Sequence, residues 1–167
     1  MPKDFIAFDV ETANGEPTSI CSIALVKVTD GLISDTLYTL VRPYPNYYFR
    51  RFTEEIHGLS CELTDCAPTF AALWPRLRDF IGNLPLVAHN VIFDRNCLRS
   101  AARYYGIDLP DYTYHCTLQA ARRSIPRAMI TSYSLPSVAH FLGIPFDNHH
   151  NAQADALACA RIALCLI

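Results

Sequence analysis

Apolar residues fill the run from Phe5 to Val10, and a polar stretch containing Gly15 and Pro17 follows it. A run of that length between polar segments predicts a buried strand. Ile20 to Val28 and Leu32 to Val41 are rich in β-branched residues and partly alternate, with Thr29-Asp30-Gly31 between them. An Asp-Gly step between two such runs predicts a tight hairpin. The first quarter of the chain therefore reads as a three-stranded antiparallel unit. Pro43 to Phe52 is a connector rich in proline and aromatic residues, and after it the period changes. Phe70, Leu73, Trp74, Leu77, Phe80 and Ile81 recur at helical spacing between Pro68-Thr69 and Gly82, which predicts a helix over 70–81. The pattern then gives a short strand from Leu84 to Ala88, a helix from Ile92 to Tyr105 and a strand from Tyr112 to Cys116. Helices follow over Thr117 to Ser124, Leu135 to Leu142, and Asn151 to the end of the sequence.

Three β-runs followed by alternating helices and strands predict an α/β fold with a mixed sheet. No repeat, low-complexity tract or linker interrupts the 167 residues, so one domain over 1–167 is expected. The apolar stretch from Ala160 to Ile167 carries no helix stop signal, which leads us to expect a native chain that continues further. An apolar fraction of 51% and a charged fraction of 18% exclude a disordered chain, a coiled coil and a fibre. No apolar run approaches the roughly 18 residues of a membrane span, and Met1-Pro2-Lys3-Asp4 leads straight into a strand-like run. Neither a membrane anchor nor a secretion signal is expected, and the cytoplasm is the expected compartment.

A net charge of −2 argues against a duplex binder that ignores sequence, yet it does not exclude an enzyme that grips a few nucleotides locally. Seven scattered cysteines without a CxxC pair read as reduced thiols. His57, Cys61 and Cys66 lie close together, but a fourth ligand is missing and the spacing fits no standard zinc finger.

Three polar clusters interrupt the apolar pattern. Phe8-Asp9-Val10-Glu11-Thr12 places Asp9 and Glu11 on one face of the first strand, where two like charges disfavour folding unless a cation neutralises them. Ala88-His89-Asn90-Val91-Ile92-Phe93-Asp94 spans a strand-to-helix turn, a favoured place for functional groups in α/β folds. There Asp94 suits the first helical turn, and His89 and Asn90 are candidates for backbone satisfaction and for substrate contact. His149-His150-Asn151-Ala152-Gln153-Ala154-Asp155 opens the last helix. His150 and Asp155 are about 140° apart on a helix, so His150 is expected in the loop before a capping Asn151, free to swing over the carboxylates. Asp155 is expected more than a turn inside an alanine-rich helix, half-buried. Four carboxylates, Asp9, Glu11, Asp94 and Asp155, form a hard oxygen donor set for two Mg²⁺ or Mn²⁺ ions, and His150 is suited to accept a proton from water.

In this order and at these separations, FDVET, HNVIFD and HHNAQAD resemble the DEDDh branch of the DnaQ-like 3′→5′ exonucleases, the family of the proofreading ε subunit of bacterial DNA polymerase III. The resemblance covers nearly the whole chain. It implies a ribonuclease H-like fold with a five-stranded mixed sheet flanked by helices. It also implies Asp9, Glu11, Asp94 and Asp155 as ligands of two divalent metal ions and His150 as the general base. Ile56-His57-Gly58 resembles the family's HG loop near the 3′-terminal nucleotide, and Thr12 the residue that meets the terminal sugar. Cys116 departs from the Asp of many relatives at a position outside catalysis. The implied activity is metal-dependent removal of nucleoside 5′-monophosphates from the 3′ end of single-stranded or frayed DNA, with a DNA polymerase subunit as the implied partner. The alternatives are trimming of RNA, which the sequence does not separate from DNA, and a non-catalytic nucleic-acid-binding or polymerase-docking module. His149 is the rival of His150. Tyr44, Tyr47, Tyr48, Phe49, Arg50, Arg51 and Phe52 are expected either to stack on bases or to pack the connector. Arg122, Arg123 and Arg127 are further candidate phosphate contacts.

Overall fold

The computed structural model describes residues 4–147 and 149–167, so Met1 to Lys3 lie outside the described residues. β1 (Phe5–Thr12), β2 (Ile20–Thr29) and β3 (Leu32–Leu40) form an antiparallel meander. At the β2–β3 turn Asp30 and Gly31 both take positive φ, 52° and 76°, the backbone that a two-residue hairpin of native twist demands. Beyond the connector come one π-helical turn (Phe52–Ile56), a four-residue helix α1 (Cys61–Thr64) and α2 (Phe70–Ile81). The chain continues through β4 (Leu86–Ala88), α3 (Val91–Tyr104), β5 (Tyr114–Cys116) and α4 (Thr117–Ser124). A 3₁₀ turn (Arg127–Met129), α5 (Leu135–Phe141) and α6 (Ala152–Leu166) complete it. The five strands lie in the order β3-β2-β1-β4-β5, with β4 and β5 parallel to β1. This is the expected mixed sheet.

Alternation along β1 divides the core. Ile6, Phe8 and Val10 pack with Phe70, Trp74 and Leu77 of α2 and with Leu98 of α3. Phe5 and Ala7 face the other way, against Ala152, Ala156, Cys159 and Ala160 of α6. The alanines let α6 lie close to the sheet, because each removes a side chain that would hold the backbones apart. A third cluster, with Ile125, Leu135, Val138 and Ile162, ties α4 and α5 to the outer flank of α6. Among the described residues no helix is long and apolar enough to cross a membrane.

The differences from the sequence reading are at boundaries. β1 runs two residues further than expected, because Glu11 and Thr12 still pair with Ser22 and Ile20 of β2. β4 and β5 each lose two residues at their starts, since parallel pairing begins only where two distant segments meet. The π-helical, 3₁₀ and α1 turns were not expected, being too short to show a period.

Candidate active site

Asp9 and Glu11 share the parity of Phe5 and Ala7, so both lie on the face of β1 that α6 covers. Asp155 is the fourth residue of α6, in its first turn and not deeper as expected, and it is only 4% exposed. The cap explains its placement: Oδ1 of Asn151 accepts the backbone N–H groups of Gln153 (3.1 Å) and Ala154 (3.2 Å), which starts the helix one turn before Asp155. Carboxylate oxygens of Asp9, Glu11 and Asp155 lie within 4.8 Å of one another.

Asp94 arrives from the other side of β1. The N–H of Ile6 donates to Pro85 on the β4 side (2.9 Å), and alternation turns the N–H of Val10 the same way. The pairing with β4 ends at Ala7 and Val87, so Val10 has no strand partner there. Oδ1 of Asp94, buried in the first turn of α3, accepts that N–H at 3.1 Å.

These carboxylates sit where ionisation is costly. Burial pushes the Asp9 carboxyl well above its usual range, and repulsion from Asp94, Glu11 and Asp155 adds to it. Burial, then Asp155 and Asp94, raises Glu11 to about 8. Burial raises Asp94 to about 7 against the opposing pull of its backbone hydrogen bonds. Asp155 is also raised by burial, with His149 opposing. A buried group of oxygen donors, free of thiolate and short of positive charge, has the chemistry that suits hard divalent cations. Both clusters of metal-ligand type among the described residues lie here, and neither contains Cys61 or Cys66.

The histidines divide the work. Nδ1 of His149 lies 3.1 Å from Oδ2 of Asp155, whereas His150 reaches the same carboxylate with its backbone N–H at 3.3 Å. Its ring stacks on that of His149, with centroids 3.7 Å apart. His150 holds φ 69° and Asn90 φ 65°, a left-handed backbone that costs a non-glycine residue about 1 kcal/mol or more and gathers at functional sites. His57 accepts the Leu59 N–H at Nδ1 (3.0 Å), so Nε2–H donates to the carbonyl of Thr12 (3.1 Å) and fixes the end of β1. His89 spends both ring nitrogens on the protein: Nε2–H donates to the Tyr133 carbonyl, and Nδ1 takes the Thr117 hydroxyl proton, each at 2.9 Å. Burial lowers the pKa of both rings.

Asp9, Glu11, Asp94, Asp155, His89, Asn90, His149 and His150 all border one cleft of about 650 Å³. Thr12 and His57 stand beside it at the end of β1. Phe93, Leu118 and Tyr133 to Leu135 complete its wall. The sequence reading passed over these, because a long-range fold contact is their only signal. Of the arginines proposed for phosphate, Arg122 borders the cleft, while Arg127 donates to the Ile130 carbonyl. The aromatic connector packs on itself and its neighbours: Tyr44 stacks on Tyr104, Tyr48 bonds Thr64, and Phe52 meets Phe49 and His57. Arg50 and Arg51 pair with Glu54 and Glu55. None of these side chains borders the cleft.

The RNase_T family model, described as "Exonuclease", matches residues 6–163. A Mycobacterium tuberculosis protein provisionally named a bifunctional exonuclease/endonuclease is 32% identical over 98% of this chain and 26% of its own length. A PolC-type DNA polymerase III of Clostridium perfringens is 32% identical over 95% of this chain and 11% of its own length. The DNA polymerase III subunit epsilon of Aquifex aeolicus is 27% identical over 95% of this chain and 77% of its own length. The chain thus spans about a quarter or less of the first two relatives. In fold, it superposes on the nuclease domain of 3′hExo, a DEDDh family member bound to rAMP, with a TM-score of 0.79 at 20% identity, covering 97% and 90% of the two chains. Escherichia coli exonuclease I in complex with a dT13 oligonucleotide gives 0.79 at 18% identity, covering 98% and 41%.

Proposed function

The chain belongs to the RNase T type of DEDDh exonucleases, and on that premise we propose that it removes nucleoside 5′-monophosphates one at a time from the 3′ end of single-stranded or frayed DNA. The observation that carries this reading is the convergence of Asp9, Glu11, Asp94 and Asp155, from three separate elements, on one cleft. Family members of this type use divalent metal ions. In our reading the four carboxylates hold two of them, Mg²⁺ or Mn²⁺. When bound, such ions lower the pKa of water and stabilise charge on the departing oxygen.

The remaining steps fall to the side chains. His150 accepts the proton of the attacking water at its imidazole; the water oxygen bonds to phosphorus, the P–O3′ bond breaks, and the 3′-oxygen leaves as a hydroxyl after taking a proton from solvent water. Burial and the neighbouring His149 lower the pKa of His150, which keeps the ring neutral and ready to accept near pH 7. His149 steadies the Asp155 carboxylate. Thr12, held through its carbonyl by His57, meets the terminal sugar, and Asn90 borders the scissile end. His89 takes part by fixing the wall of the cleft.

Relatives named as DNA polymerase III proteins support a proofreading or repair role on DNA, with a polymerase subunit as partner. We read residues 1–167 as one exonuclease domain. A time course on 5′-labelled single-stranded DNA tests the reading. With Mn²⁺ the label moves through a ladder that shortens by single nucleotides, and EDTA or Asp9→Ala abolishes it. A DNA strand left intact beside a matched RNA strand that shortens would transfer the reading to RNA.

A further inference from the structure

A second cavity, of about 840 Å³, adjoins the acidic cleft and shares Asn90 and Phe93 with it. Its floor is α3, and its far wall comes from the segment after that helix together with Tyr114 of β5. Arg95, Arg99 and Arg103 line it at four-residue intervals. That spacing keeps them near one face of the helix and sets them about 6 Å apart along its axis. The Arg95 guanidinium sits 5.8 Å from the centroid of the Tyr114 ring. None of the three takes part in the ion pairs found among the described residues, and Asp111 is the one carboxylate on the walls. A chain of net charge −2 therefore concentrates three arginines in a groove that opens onto a nest of carboxylates.

We propose that this groove carries the sugar-phosphate backbone of the strand being degraded, on the 5′ side of the nucleotide in the cleft. The inference rests on the exonuclease reading and extends it from the scissile bond to the strand behind it. Arginine suits this task, because its planar fork meets phosphate oxygens in pairs. The regular spacing offers one cation to each of several successive phosphates, and backbone contacts of this kind are indifferent to base sequence. The shared rim at Asn90 and Phe93 lets a strand pass from groove to cleft without leaving the surface. The repulsion between a polyanion and the acidic cleft is offset by attraction in the groove, so substrate binding is expected to strengthen with strand length.

The test compares Arg99→Gln/Arg103→Gln with the parent chain on two substrates. One is a 15-nucleotide single strand; the other is thymidine 5′-(4-nitrophenyl phosphate), which is too short to reach the groove. On the long strand the double variant is expected to raise KM roughly tenfold near physiological salt, and to make the log–log salt dependence shallower by about 1.4, the share of two phosphate contacts on a single strand. The rate on the nitrophenyl ester stays unchanged. An unchanged KM and salt slope on the long strand would overturn the proposal. An equal loss on both substrates would also overturn it, by showing that the arginines support the cleft itself. A parent chain inert on both substrates would refute the exonuclease reading first, and the groove's role with it.

Discussion

Two neighbouring cavities of this protein carry opposite charge and are built in opposite ways. The acidic cleft takes its groups from β1, α3 and α6, buries Asp94 and Asp155 almost completely and holds each against a backbone N–H. The basic groove takes its arginines from a single helix and leaves Arg99 and Arg103 exposed. The cleft is costly without a ligand, because burial and mutual repulsion oppose its charge. The groove costs little, because water solvates each guanidinium until a phosphate arrives. Chemistry at one phosphorus needs fixed groups, whereas holding a flexible strand needs only charge at a regular interval. The difference between the two cavities predicts which perturbations each will feel.

The largest separation is expected from the histidines. His150→Gln should lower kcat by roughly 10²–10⁴-fold, and by the same factor on the nitrophenyl ester and on the long strand, since the proton transfer is common to both. His149→Gln should cost less, because it acts through its neighbours, the Asp155 carboxylate and the His150 ring, and takes no proton from the water itself. A larger loss for His149→Gln in steady-state kinetics would reverse the two roles.

Stability against pH gives a smaller but sharper contrast. Glu11 ionises near its ordinary 4.5 in the unfolded chain and near 8 in the folded one. The folded state therefore holds the extra proton between those values. Metal-free stability is fully present below about 4.5 and falls as pH rises through the window. Asp94, raised to about 7, acts in the same direction. Under the proposed function Mn²⁺ is expected to take the ionised cluster, so its stabilising effect in a thermal melt should grow from pH 5 to pH 8. Arg99→Gln/Arg103→Gln should show the same growth as the parent chain, because the groove lies outside the cluster. A Mn²⁺ shift equal at both pH values would contradict the electrostatic picture of the cleft.

Much of the cleft was legible along the chain because its parts obey local rules. The parity of β1 places Asp9 and Glu11 together, an N-cap announces α6, and a strand-to-helix turn announces Asp94. The three long strands and α2 were legible for the same reason, since each spans enough residues to show its period. The reach of His149 and His150 was not, because it depends on a left-handed backbone at His150 that a sequence pattern does not reveal. Nor were the limits of β4 and β5, three residues each, which only the pairing of distant segments defines. The groove was illegible for a related reason. Arg95, Arg99 and Arg103 share a helical face, but nothing local says that Asp111 and Tyr114 will fold back to make that face a wall.

The smallest expected effect tests how far the cleft depends on its local scaffold. Asn151 accepts two backbone N–H groups at the start of α6, yet lies on the surface and is absent from the cleft wall. Asn151→Ala should cost about 1 kcal/mol of stability, the usual worth of such a cap. It should also weaken the response to Mn²⁺, because Asp155 sits one turn further along the loosened helix end. Asn151→Ser keeps an oxygen acceptor and should restore both. Metal titration followed by thermal melts would separate the two roles. A loss of stability with unchanged Mn²⁺ response would show that Asp155 is positioned by the sheet and by His149 and His150, and that the cleft is rigid independently of the helix end that supplies it.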